Sequence, residues 1–147
     1  MLYFSHMIKL PIKKTHKNAQ LPTFAHASDA GMDLYAVESV TVPAGEKAVV
    51  GTGIAMAIPE GYVGLIWDKS GIAIKGGLKV LGGVIDAGYR GEVMVGIINL
   101  SKEDYTFEAG HKVAQIIIQE RIQPEVIEVD SLDDTTRGEG GFGSTGK

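Results

Sequence analysis

Apolar and polar residues alternate in short runs along most of this chain, and the runs stop at glycine, proline or acidic turns. That period of two predicts strands at Ile8 to Lys13, Ser39 to Pro43, Lys47 to Pro59, Tyr62 to Trp67 and Leu78 to Leu81. Further runs follow at Val93 to Leu100, Tyr105 to Glu108, Val113 to Glu120 and Val126 to Val129. The turn-rich segment Ala27 to Ala36 leads into another strand. Pro11 cannot donate to a ladder and marks an edge, while Gly51 and Gly53 mark a bulge or a close backbone approach. Only Asp68 to Gly77 accommodates a helical turn, and a short one. Turn signals recur about every 8–12 residues, the spacing of an all-β sandwich or barrel.

Gly83 to Glu92 reads as a β-hairpin. Val84 and Ile85 deliver Asp86 at the end of one strand, Ala87-Gly88 turns, and Tyr89 precedes the next strand. An acid and a flat ring thus share one tip, although an ordinary turn Asp beside a surface Tyr has the same pattern. Asp33, also after small and apolar residues, is a second candidate to activate or hold a water. Lys69, Ser70 and Gly71 offer a cation, a hydroxyl and an amide in succession, as a phosphate contact or as a solvated loop. Gln115 interrupts the apolar run Val113 to Ile118. It lies on a solvated face or bonds something specific, because an unpaired buried amide costs roughly 1–3 kcal/mol.

Length and composition narrow the classes. The chain has 147 residues, net charge -4, 20 glycines and no cysteine. One domain is expected over residues 7–130, with a core feasible at this size. A nucleic-acid polymer is not an expected partner, because no Lys/Arg block is present to neutralise phosphates. The absence of cysteine excludes disulfides and thiolate metal sites and fits a reducing compartment. His6, His16, His26 and His111 form no ligand spacing. No apolar run approaches ~20 residues, so no membrane-spanning helix is expected. Met1 to His6 lack the features of a secretory signal and are expected to be a leader left by cloning, with Met7 the natural start. The expected address is cytoplasmic.

Residues 131–147 change character. Leu132 and Phe142 are the only large apolar residues there, amid glycines, hydroxyls and Arg137. Such a flexible tail can wrap an anion with backbone amides and an arginine fork. No Walker ending is present, and a frayed tail has the same composition.

Five segments in this order resemble the homotrimeric deoxyuridine triphosphate pyrophosphatase (dUTPase) family. They are Ala30 to Leu34, Lys69 to Ala73, Gly83 to Glu92, Gly110 to Gln115 and Arg137 to Gly146. The resemblance runs from about Ile8 to the end. It implies a distorted β-barrel, or jelly roll, in a homotrimer with active sites at subunit interfaces. It implies hydrolysis of dUTP to dUMP and pyrophosphate, with Mg2+ held mainly by the triphosphate and reached by Asp33 only through water. Asp86 would deprotonate the attacking water, and Gln115 would help hold the phosphate chain beside it. Tyr89 would lie against the deoxyribose and exclude a 2′-hydroxyl. Backbone groups around Val80, Val84 and Ile85 would read uracil, and Met94 would line its pocket. Lys69, Ser70 and Gly71 would contact phosphates. In the tail, Arg137 would reach the γ-phosphate, Phe142 would stack on uracil, and Gly143, Ser144 and Thr145 would close a lid.

One departure stands out. The family usually has Pro-Arg-Ser-Gly where this chain has Asp68-Lys69-Ser70-Gly71. Lysine keeps the charge but loses the bidentate fork, and Asp68 adds negative charge near an anionic ligand, so weaker catalysis than in an Arg-bearing relative is expected. Two other readings share the architecture: a dCTP deaminase, against which Asp86 and Gly71 argue, and a dUTP-binding regulatory module with little turnover.

Overall fold

The computed structural model describes residues 7–146; the proposed leader Met1 to His6 and the final Lys147 lie outside the described residues. Ten strands and one short helix follow in order: β1 (Ile12–Lys14), β2 (Met32–Tyr35), β3 (Val40–Val42), β4 (Lys47–Met56), β5 (Tyr62–Trp67), α1 (Ser70–Gly76), β6 (Leu78–Leu81), β7 (Val84–Ile85), β8 (Glu92–Asn99), β9 (Tyr105–Phe107) and β10 (Lys112–Glu120). The expected all-β class with a single short helix is what the chain adopts.

The strands form two four-stranded sheets, β1-β4-β8-β6 and β2-β10-β5-β7, and a two-stranded ribbon β3-β9. No ladder joins the two large sheets among the described residues, so the barrel is open. Alternation along β8 turns Val93, Val95, Ile97 and Asn99 inward and Met94 outward. These inward residues meet Val113, Ala114 and Ile116 of β10, Ile66 of β5 and Phe107 of β9 in one continuous core. Asn99 is fully buried and fully used. Its amide donates to the carbonyls of Val42 and Glu103, and its oxygen accepts from Ser101.

Three expectations need correction. Val84–Ile85 and Glu92–Asn99 are not the arms of a hairpin: β7 pairs with β5, whereas β8 pairs with β4 and β6. The Asp86–Tyr89 segment is therefore a corner between sheets. Its six intervening residues let the chain change layers, which local alternation alone does not reveal. Val126–Val129 form no strand; Val126 is 91% exposed, and no neighbouring edge receives it. The long run from Lys47 ends at Met56, before Ile58 and Pro59. The break at Gly51 and Gly53 is a real irregularity: the β4–β8 register shifts between Gly51 and Ala55, and Gly53 takes φ 66°.

Candidate active site

Two clusters emerge from these sheets. The first is at the β7–β8 corner, a pocket of about 190 Å3 lined by Val84, Ile85, Asp86, Tyr89, Glu92 and Met94. Asp86 is exposed, and its backbone carbonyl accepts from Tyr89 N at 3.1 Å, which closes the turn. The Tyr89 hydroxyl donates to the Glu92 carbonyl at 2.9 Å. The ring fits only because position 91 is glycine: a Cβ there would come within 2.6 Å of the ring's Cζ. Five residues singled out in the sequence thus line one pocket. Glu92 was missed. Its Oε1 accepts from Gly53 N at 2.6 Å and so ties the corner to the β4 bulge.

The second cluster surrounds Asp33 in a cavity of about 420 Å3 that includes Gly31, Lys69, Ser70 and Gln115. Gln115 lies directly opposite Asp33 in the β2–β10 register. The Gln115 amide donates to the Asp68 carbonyl at 2.8 Å, and Gly31 makes room for it, since a Cβ there would strike Oε1 at 2.2 Å. The open choice for Gln115 resolves in favour of a specific partner.

Asp33 itself is 2% exposed. Lys69 donates to Oδ1, and Lys112 Nζ is 2.7 Å from Oδ2. The second contact is close in distance but not aligned as a hydrogen bond, so Oδ2 retains an open lone pair. Burial pushes the Asp33 carboxyl up, but the Lys112 and Lys69 ammoniums outweigh it and hold the group below its ordinary range. Asp33 in turn raises Lys112.

Asp68 behaves otherwise than expected. Its carboxylate faces β6, accepting from Val80 N and from Lys79 Nζ, each at 2.6 Å. Its charge is matched there, and the Val80 N–H is already in use. Val80 lies outside the corner pocket. The tail is apart from both clusters: Arg137 Nε donates to Gly140 O at 2.7 Å, and Phe142 is fully exposed at φ 51°. Gly143, Ser144 and Thr145 follow it without contact to the sheets recorded in hydrogen bonds.

The two pockets share no lining residue. Asp33 on β2 and Ile85 on β7 are separated by three strand spacings, β2-β10-β5-β7, which is about 14 Å across the sheet. Among the described residues no three His, Cys, Asp or Glu side chains cluster as a metal site. Asp33, with an ammonium beside each oxygen, offers a cation no direct ligand set, which fits a metal held elsewhere and met only through water.

The dUTPase family model matches residues 17–146. The chain belongs to the dUTPase family. Among its relatives, the deoxyuridine 5'-triphosphate nucleotidohydrolase of Wolinella succinogenes is 45% identical over 142 residues, covering 95% of each chain. That of Gloeothece citriformis is 46% identical over 141 residues, covering 95% of this chain and 97% of the relative. Among solved structures, a variant dUTPase of Staphylococcus bacteriophage 80alpha with dUpNHpp superposes at TM-score 0.89 and 33% identity, over 96% of this chain and all of that one. A variant dUTPase from phage phi11 of S. aureus, described as revealing the coordination of a structural Mg(II) ion, gives TM-score 0.79 at 32% identity. It covers 84% of this chain and 98% of its own. The family's jelly roll is thus the architecture of this chain, with its sheets open.

Proposed function

We propose that this chain hydrolyses dUTP to dUMP and pyrophosphate, limiting uracil incorporation into DNA and supplying dUMP for dTMP synthesis. The observation that carries the reading is the corner pocket, where an exposed carboxylate and an aromatic ring meet beside apolar walls. Asp86 accepts a proton from water as its oxygen attacks the α-phosphorus in line. The bond from that phosphorus to the bridging oxygen of the β-phosphate breaks, and pyrophosphate leaves. Tyr89, braced by Glu92 and Gly91, stands against the deoxyribose and has no room for a 2′-hydroxyl. Val84 and Ile85 carry the backbone groups that read uracil, and Met94 closes the wall; Val80, its N–H engaged by Asp68, has only its carbonyl to offer.

Lys69, Ser70 and Gly71 bind the phosphates, and Gln115, held by Asp68 O, orients the chain of phosphates. Mg2+ bound to the triphosphate would supply charge neutralisation, and Asp33 is the residue that would meet it, through water. Within one subunit the nucleoside pocket and the phosphate pocket share no lining residue, and Asp33 and Ile85 stand about 14 Å apart across the sheet. Their joining across subunits of a homotrimer supplies the missing proximity. The tail over residues 131–147 is the lid: Arg137 exchanges its contact with Gly140 for the γ-phosphate, Phe142 stacks on uracil, and Gly143, Ser144 and Thr145 close over them. No helix among the described residues is long and apolar enough to cross a membrane, and a cytoplasmic address fits a nucleotide enzyme.

Incubation with dUTP, UTP, dTTP and dCTP, each with and without Mg2+, tests this reading. Pyrophosphate from dUTP alone, dependent on Mg2+, is the expected result. Ammonia from dCTP would favour the deaminase reading, and dUTP binding without release would favour the regulatory one.

A further inference from the structure

Asp33 has two cationic partners, and they are not equivalent. Lys69 lines the cavity with Ser70 and Gln115, whereas Lys112 contributes nothing to its wall. Lys69 precedes α1 in extended backbone, on a loop outside the strands. Lys112 is the first residue of β10, paired with Tyr35 of β2. Its reach to Asp33 has a local cause. The β2–β10 register shifts between Lys112 and Ala114, and that irregularity brings Lys112, three residues before Gln115, back to the Gln115 side of the strand. From there it is the diagonal neighbour of Asp33, within reach of a long side chain.

We propose that Lys112 is a positioning residue that holds the Asp33 charge so that Lys69 can leave it for the phosphates of the bound nucleotide. This rests on the phosphate role given to Lys69 above. A carboxylate 2% exposed with one cation would hold it tightly, because removing that cation leaves a buried charge without a partner. A second ammonium, 2.7 Å away on a strand, removes that penalty. The exchange is then between two anions, Asp33 and a phosphate, competing for one mobile lysine. An arginine in place of Lys69 could serve both at once through its fork, whereas a lysine ammonium, a single point charge, must choose.

The test uses the full chain and binding of α,β-imido-dUTP without metal, followed by calorimetry, with KM, kcat and melting temperature measured alongside. Binding by the unaltered chain comes first: if it fails with Mg2+ added as well as without, the dUTP reading fails and Lys112 is not at issue. Given binding, Lys112→Met should weaken it about ten-fold, the size of an ordinary coupling between sites, and raise KM more than it lowers kcat. Lys112→Arg should restore both. In an Asp33→Asn background Lys112→Met should have no further effect on binding, since nothing then retains Lys69. A lower melting temperature with unchanged affinity would reduce Lys112 to a structural ion pair and overturn the proposal. An equal loss in the Asp33→Asn background would do so too, by indicating direct contact with phosphate. Should Lys112→Met not be recovered folded, Lys112→Gln carries the same comparison.

Discussion

Asp86 and Asp33 are both acids beside small residues in β-rich sequence, yet their surroundings are opposite. Asp86 is exposed at a corner between two sheets, and no side-chain donor engages its carboxylate among the described hydrogen bonds. Asp33 is buried on a strand between two ammoniums. A proton acceptor needs an accessible, uncommitted lone pair; a carboxylate matched by two cations is a poor base and a good electrostatic anchor. On the proposed reading, the same residue type would serve proton transfer at one site and organisation of phosphate-binding lysines at the other.

The sharpest way to break this comparison is at Asp86. Asp86→Asn preserves shape but not basicity, and kcat should fall about 10³-fold with dUTP affinity nearly unchanged in a binding assay. If instead affinity collapses while kcat survives, Asp86 is a binding residue and the contrast fails. At Asp33 the expected effect is on the fold. Asp33→Asn leaves two partly solvated lysines facing a neutral amide and should cost about 1 kcal/mol at neutral pH, measured by denaturant unfolding.

The same variant should show a changed acid limb. The folded-state pKa of Asp33 lies below the ordinary 3.8, so its stabilisation is present above the unfolded-state value and disappears as pH falls through the folded-state one. The unaltered chain should therefore lose more stability than Asp33→Asn as pH falls below the ordinary carboxylate value and through the lowered folded-state one. Parallel curves would mean that Asp33 is not held by its lysines.

Smaller effects separate the two regions by substrate. Tyr89→Ala should narrow the kcat/KM preference for dUTP over UTP by about ten- to a hundred-fold, without altering pyrophosphate inhibition. Lys69→Arg, on the other side, should raise kcat/KM by about three-fold through the bidentate fork and leave the dUTP/UTP ratio alone. A drop or no change would mean that lysine is the better residue in this setting.

Much of the fold was legible because strand periodicity is local. Leu78–Leu81 and Tyr62–Trp67 form as their alternation predicts. Val126–Val129 has the same pattern but no strand, because an apolar run becomes a strand only where an edge receives it. The corner at Asp86 was misread for a related reason: a short turn between two strands looks alike whether the strands pair with each other or with different sheets. At the site, Glu92 and Lys112 lay in recognised segments, yet their partners Gly53 and Asp33 are distant in sequence. No local signal names such partners.

What the sequence by itself determined is the all-β class and the close spacing of Asp86, Tyr89 and Gly91. These depend on the alternation of side chains and on a residue too small to displace the ring. Only the tertiary structure decided which cations reach Asp33, where the Asp68 charge is matched, and that the Asp86 corner and the Asp33 cavity lie on separate parts of the chain. Those facts depend on sheet register, and a single bulge between Lys112 and Ala114 reorients a side chain. Electrostatic partners in this chain are chosen by register, and register is settled by the packing of whole sheets.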